Sequence, residues 1–296
     1  MSFKFSVTTV MLPEHDLHEA AALLSKLGFQ GVEWRTRRIP PEHAGKPFSF
    51  WGNHKNDLTP ERFKKEAKEI RKLCDDHGLR IVGLAPQAAV TQLDDVALLA
   101  DGAAEAGAGN SRGESYPVAV RLLAPRWYDG TIPYPTLFLE AVEAFGKALE
   151  ITRARKVKVL VEIHNNTIVV SASLTHRLLV HFSPDDIGAI YDINNMTRDG
   201  YETPRIALEL LGPYLAHVHL GATKPVAGAK DAAGTVQWKW EGCPLGEGLL
   251  HLPGIFSELS HAHYTGFVSL EDFRVAPAEG KLMESLAYLK AIGVAG

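Results

Sequence analysis

Four short stretches of this chain carry side chains that could do chemistry. VEIHNN holds Glu162 and His164, YDINNM holds Asp192 with Asn194 and Asn195, HVHLGA holds His217 and His219, and SLEDFR holds Glu271 and Asp272. In the first, a carboxylate and an imidazole stand two residues apart at the end of the apolar run KVKVLVEIH. On a strand, both would point to the same face. A carboxylate buried alone is costly, so Glu162 calls for a partner. If the four stretches converge, Glu162 faces Asp192, His219 and Glu271. Three carboxylates and one imidazole cannot share a dry site unless something positive sits among them. A divalent cation meets that need. Three oxygen donors and one nitrogen suit Mn²⁺ best, with Mg²⁺, Co²⁺ or Zn²⁺ as alternatives. Four protein ligands would also leave positions open for adjacent oxygens of a substrate.

The elements that would bring these residues together are legible as periodicities. Apolar, β-branched runs at 3–9, 31–34, 80–84, 118–122, 157–163, 188–192, 216–220 and 266–271 read as strands. Helical spacing fills 17–27, 60–77, 94–106, 136–155, 173–181, 204–211, 253–263 and 279–292. Thr59-Pro60-Glu61 supplies an N-cap, a first-turn proline and an early acid. KLGF, DHGL and LLGP end helices on glycine. Strands alternating with helices imply parallel pairing, because parallel neighbours need a crossover. The rival is an open doubly wound sheet, but its glycine-rich dinucleotide turn is missing. GAGNSRG, from Gly107, follows a helix rather than a strand. The fold class expected is therefore α/β, a single (β/α)8 TIM barrel spanning 1–296, with the four stretches at adjacent strand ends around one mouth. Two long connections leave the same face. Residues 36–58 carry Trp51 and His54, and residues 221–248 carry Trp238 and Trp240; both read as loops that pack or cover a ligand.

With 296 residues, 46% of them hydrophobic, the chain can bury a large core, and barrels of this length form one domain. A net charge of -4 gives no electrostatic case for nucleic acid or a membrane surface. Two cysteines are too few for a disulfide framework and fit a reducing compartment. The N-terminal MSFKFSVTTVMLPEHD lacks a basic leader and the ~20 apolar residues of a membrane span. The expectation is a soluble cytoplasmic protein, with homo-oligomer formation through helix faces left open.

At these same residues the chain resembles the xylose isomerase-like TIM-barrel superfamily. That group includes sugar phosphate isomerases/epimerases, ketose 3-epimerases, inosose dehydratases, dehydroshikimate dehydratases and the endonuclease IV group. GFQGVEWR looks like its second-strand motif, VEIHNNT its fifth, YDINNM its sixth and AHVHLGA its seventh; PLGEG and HYTGFVSLED resemble the closing G-E-G and the eighth-strand Glu. The resemblance implies that Glu162, Asp192, His219 and Glu271 bind one divalent metal. It also implies that Glu162 and Glu271 move the proton beside a substrate carbonyl, and that Glu33 binds a substrate hydroxyl. His217 is then expected as a hydrogen-bonded core histidine. Three departures stand out. Asn195 occupies the place of an epimerase histidine, Lys224-Pro225 replaces an arginine, and His251 replaces an aspartate that opens a helix. Asn195, His164, Arg121, Arg274, His54 and Trp238 are the remaining candidates for substrate contact. Arg121 and Arg274 would anchor a phosphate or carboxylate, and His164 or His54 would act as acid toward a leaving group.

The function implied is a divalent-metal-dependent isomerase or epimerase acting on a ketose or related polyol ketone through an enediolate. The alternative is a lyase that shares the first proton abstraction. An AP endonuclease-like phosphodiesterase would need a basic groove and further ligands, and a non-catalytic sugar-binding protein would hold metal without turnover.

Overall fold

The computed structural model describes residues 2–108 and 115–296. Eight parallel strands close into a barrel: β1 Lys4–Thr8, β2 Gly31–Arg35, β3 Arg80–Ala85, β4 Ala119–Arg121, β5 Val159–Glu162, β6 Ile187–Asp192, β7 Leu215–Leu220 and β10 Phe267–Leu270. Around the ring the order is β1-β10-β7-β6-β5-β4-β3-β2. The helices are α1 Leu17–Leu27, α2 Pro60–Asp76, α3 Leu93–Gly107, α4 Tyr134–Arg153, α5 Ala172–Leu179, α6 Ile193–Asp199, α7 Pro204–Leu211, α8 Leu252–His261 and α9 Ala278–Ala291. Residues 109–113 of the GAGNSRG stretch lie outside the described residues.

Local chemistry sets the element boundaries. Asp16 closes a capping box with Glu19 at the start of α1, and Gly28 ends that helix at φ 86°, a conformation open to glycine at no steric cost. Thr59 accepts from the Arg62 N–H at 3.2 Å and opens α2. His251 does for α8 what an aspartate would do, its ring Nδ1 accepting from the Gly254 N–H at 3.3 Å.

Alternation along each strand then divides the side chains between two compartments. Val159 and Val161 of β5, Ala189 and Tyr191 of β6, and Val32 and Trp34 of β2 pack into the large apolar cluster shared with the helices. The residues between them turn into the barrel, and at the upper end these are Glu162, Asp192 and Glu33.

Two segments differ from the expectation. Residues 221–248 are not a plain loop. They contain an antiparallel hairpin, β8 Thr223–Lys230 and β9 Val236–Gly242, outside the barrel sheet. Asp231 builds its turn, one carboxylate oxygen accepting from the N–H groups of Ala233 and Thr235 at 2.9 Å each. Pro225 is tolerated because a two-stranded ribbon leaves each strand one free edge. The second difference is α6, which begins directly after Asp192. That residue caps it by accepting from the Asn195 N–H at 2.8 Å. Among the described residues no helix is long and apolar enough to cross a membrane.

Candidate metal centre

The ends of β5, β6, β7 and β10 bring four side chains to one point. Ligand atoms of Glu162, Asp192, His219 and Glu271 all lie within 4.8 Å of one another. The His219 Nδ1 is 3.3 Å from Glu162 Oε1, 3.3 Å from Glu271 Oε1 and 3.8 Å from Asp192 Oδ2. Pairing across the sheet produces this meeting. Asp192 stands opposite His219 in the β6–β7 register. Glu271 follows the last residue of β10, and its N–H donates to the Leu220 carbonyl at 2.9 Å.

The orientation of His219 comes from Glu33. Its Nε2 lies 3.0 Å from Glu33 Oε2, with both groups buried. A carboxylate can only accept, so Nε2 carries the proton and Nδ1 is turned toward the three carboxylates. His217 supports the same carboxylate at 3.4 Å and reaches Ser269 Oγ at 3.0 Å, which in turn meets Ser6 Oγ at 2.6 Å. Glu33, His217 and His219 form a second cluster of ligand-type residues, but it shares His219 and is satisfied by its own hydrogen bonds. Against the cost of burial, the His219 and His217 rings hold the Glu33 carboxyl well below the usual range.

The four-residue cluster is electrically unfinished. Burial pushes the Asp192 carboxyl well up, and the Glu271 and Glu162 charges push it further. Glu162 goes the other way. Burial opposes its charge, but the Arg121 guanidinium and the His219 ring outweigh it and hold the carboxyl well below its ordinary value. The buried Nδ1 of His219 has no hydrogen-bond partner among the described residues, although three carboxylates surround it. An unpartnered imidazole nitrogen facing three carboxylate oxygens is a donor set that suits a hard or borderline divalent cation. The carboxylate behind the imidazole is the support that metal-binding histidines require.

The sequence model of the xylose isomerase-like TIM barrel family matches residues 21–292. The chain belongs to that family. No curated protein matches it by sequence. Among solved structures, a probable 3-DHS dehydratase from Bacillus anthracis superimposes with a TM-score of 0.71 at 16% identity, over 97% of this chain and 99% of that one. A 3-keto-D-glucoside 4-epimerase from E. coli in its apo form gives 0.69 at 14% identity, over 98% and 100%. A xylose isomerase-like TIM barrel protein from Mycobacterium smegmatis in complex with magnesium gives 0.64 at 16% identity, over 98% and 96%. At such identities these likenesses establish the shared fold.

The other candidates of this xylose isomerase-like barrel divide into those at the mouth and those away from it. Arg121 is buried; its Nη1 pairs with Glu162 Oε2 and its Nη2 donates to the Pro86 carbonyl at 3.0 Å. Its fork is therefore committed to the protein. Asn195 donates from Nδ2 to Asp192 Oδ2 at 2.6 Å, so it fixes that carboxylate. His164 lines a small pocket beside Glu162, its Nδ1 2.8 Å from the Asn165 carbonyl and its ring against Trp127 at 5.1 Å. Arg274 does not join the cluster: its Nε donates to both Asp272 oxygens at 3.0 Å, and its Nη2 is shared between Asp272 and Glu284. Trp238 stands on β9 with 63% of its surface exposed. Lys224 pairs with Glu247 at 2.8 Å. Arg37, which was not expected, is buried near Glu162 and Glu271, donating from Nε to the Ala85 carbonyl at 3.1 Å beside the Trp51 ring. No motif marked it, since it lies two residues beyond the end of β2 in the first long connection.

His54 also stays outside the cluster. It is buried under the end of β1, with Nε2 3.1 Å from the Thr9 carbonyl. Burial and the Arg35 charge push its pKa from 6.5 down to about 3. Unfolded chains take up this proton below about pH 6.5 and the native protein does so only near pH 3, so stability is complete above that window and falls as pH drops through it. Between about pH 6.5 and pH 5 the loss amounts to about 2 kcal/mol. Urea unfolding of His54→Gln over that range should show a pH dependence shallower by about this amount. An unchanged slope would mean that His54 is not held neutral.

Proposed function

We propose that the protein is a divalent-metal-dependent isomerase or epimerase. Its substrate would be a ketose or related polyol ketone, and its first step removal of the proton beside the carbonyl. One observation carries this reading: Glu162 and Glu271 approach the same imidazole at 3.3 Å from strands β5 and β10, with β6 and β7 between them. Two carboxylates reaching one point from separated strands can serve a substrate carbon from two sides, one removing its proton and the other returning one. In the forward step the C–H electron pair becomes the carbon–carbon double bond of an enediolate, and the proton passes to a glutamate oxygen. In the return step a glutamate proton forms the new C–H bond.

Glu162, Asp192, His219 and Glu271 would hold the cation, with Mn²⁺ the first choice and Mg²⁺, Co²⁺ or Zn²⁺ as alternatives. Bound there, it would supply Lewis-acid stabilisation of the negative charge that develops on substrate oxygen. Arg121 keeps Glu162 ionised, Glu33 aims His219, and Asn195 steadies Asp192. The magnesium complex of the Mycobacterium smegmatis relative and the sugar epimerase from E. coli are in keeping with this assignment. A cytoplasmic location is supported by the two buried free cysteines, Cys74 and Cys243.

His164 favours one second reading, a lyase. Its ring borders the same pocket as Glu162, where it could protonate a departing β-oxygen after the same deprotonation. Both readings meet in one experiment. Chelator-treated protein is reconstituted with Mn²⁺ and incubated in D₂O with ketoses, inososes and 3-keto-glycosides, and products are read by NMR. Deuterium beside the carbonyl with the hydroxyl retained is the expected result. An enone or a released aglycone would establish the lyase, and no exchange with any substrate would overturn both.

A further inference from the structure

The alternation that turns Glu162 into the mouth also acts at the opposite end of the barrel. Two residues before Leu160 it turns Lys158 into the floor, and on β1 the sequence Lys4, Ser6, Thr8 does the same from the neighbouring side. Barrel floors are ordinarily closed by branched apolar side chains. Here Ala119, Ala216 and Gly266 occupy wall positions, and a cavity of about 600 Å³ remains. Lys4, Arg80, Lys156 and Lys158 line it, with His217 at its inner end.

The charge of this cavity is unbalanced. Against four cations it has one carboxylate, Asp185. Its neighbour Asp186 is occupied by Arg153 at 2.8 Å. Among the described residues none of the four cations has a carboxylate within 4.0 Å, whereas Arg38, Lys64 and Lys72 are each paired at 2.6–2.7 Å. Lys4 rests over the Phe267 ring at 5.0 Å and Arg80 over Tyr116 at 5.1 Å, which leaves their hydrogen-bond donors without an acidic acceptor. Lys158 is half-buried and Lys4, Arg80 and Lys156 are exposed at the rim, and four like charges around a concave space of this size raise a positive potential. Lysine and arginine together offer the donors that phosphate and carboxylate oxygens take. The volume lies within the range that holds small ligands.

We infer that the floor of the barrel, between Lys4, Arg80, Lys156 and Lys158, is a binding site for a small multivalent oxyanion, separate from the metal centre. The ligand class is a phosphate or a polycarboxylate; neutral sugars lack the charge that these four groups call for. The competing explanation is that the lysines simply extend from the barrel end into water.

Calorimetric titration of the chelator-treated protein distinguishes the two, with inorganic phosphate in one series and citrate in another, at low ionic strength. One saturable site is expected, weakened at least about tenfold in Lys158→Met and again in Lys4→Met. The same titration of Glu271→Gln should be unchanged, because that residue belongs to the opposite end of the barrel. Saturation by phosphate alone, or by citrate alone, would identify the source of the oxyanion. The inference is overturned by the absence of a saturable site, by equal binding in the lysine variants, or by loss of binding in Glu271→Gln. It is equally overturned if chloride at matched ionic strength gives the same heats.

Discussion

Glu271→Gln is expected to lower kcat by about 10²–10⁴-fold while the melting temperature stays close to that of the parent protein. The amide keeps the shape and one oxygen of the carboxylate but can neither take a proton from carbon nor return one. Glu271 is also the most exposed member of the cluster, at 13% of its side chain against 1–4% for the others, and no ion pair with arginine or lysine depends on it among the described residues. Its removal should therefore register in turnover far more than in folding. Metal affinity, read by calorimetry, should fall only in part, since Glu162, Asp192 and His219 remain. Glu162→Gln should be equally inactive but less stable, because it strips Arg121 of its carboxylate. Near-normal turnover of Glu271→Gln would end the two-glutamate mechanism.

The four residues of the candidate centre could be placed together from the sequence because each stands at or next to the end of a barrel strand, Glu162 and Asp192 as last residues, His219 one before the end of β7 and Glu271 one after β10. KVKVLVEIH and YDINNM have no glycine or proline to disturb the period, and in a closed parallel barrel all such ends share one rim. What lay between the strands was less legible. Glu33 lies in the middle of β2, and the resemblance implies a substrate hydroxyl as its partner. The structure also sets it against His219, 186 residues later, and a partner that distant leaves no mark in local spacing. His54 and Arg274 looked available because a loop histidine and an arginine after a strand usually face water. One is buried against the Thr9 carbonyl and the other is enclosed by Asp272 and Glu284. For His54 the contact is tertiary and absent from any window of sequence, whereas for Arg274 both acids lie within ten residues and only the turn after β10 brings them onto the guanidinium. The hairpin after β7 was missed for a different reason. Its strands alternate, but Pro225 and Gly228 are residues that ordinarily interrupt strands, and the ladder from Thr223–Gly242 to Ala227–Trp238 runs through the first and becomes irregular at the second.

Arg121 offers the sharpest test of how this site is stabilised. Replacing one partner of a buried ion pair leaves the other charge uncompensated, at a cost of about 3–5 kcal/mol. Arg121→Met should therefore lower the urea-unfolding free energy of chelator-treated protein by about that much. A divalent cation at the centre would compensate Glu162 from its other oxygen, so the deficit should shrink when Mn²⁺ is present. The double variant Arg121→Met with Glu162→Gln removes both charges, and it should be more stable without metal than Arg121→Met alone, because the remaining amide carries no charge to strand. If Arg121→Met costs the same with and without metal, the cation does not share Glu162 with the guanidinium. If the double variant is no more stable than the single one, the loss arises from the bond to the Pro86 carbonyl and the packing of the arginine stem. The stability measurement then assigns Glu162 its two partners independently of any substrate: a guanidinium on one oxygen and the metal centre on the other.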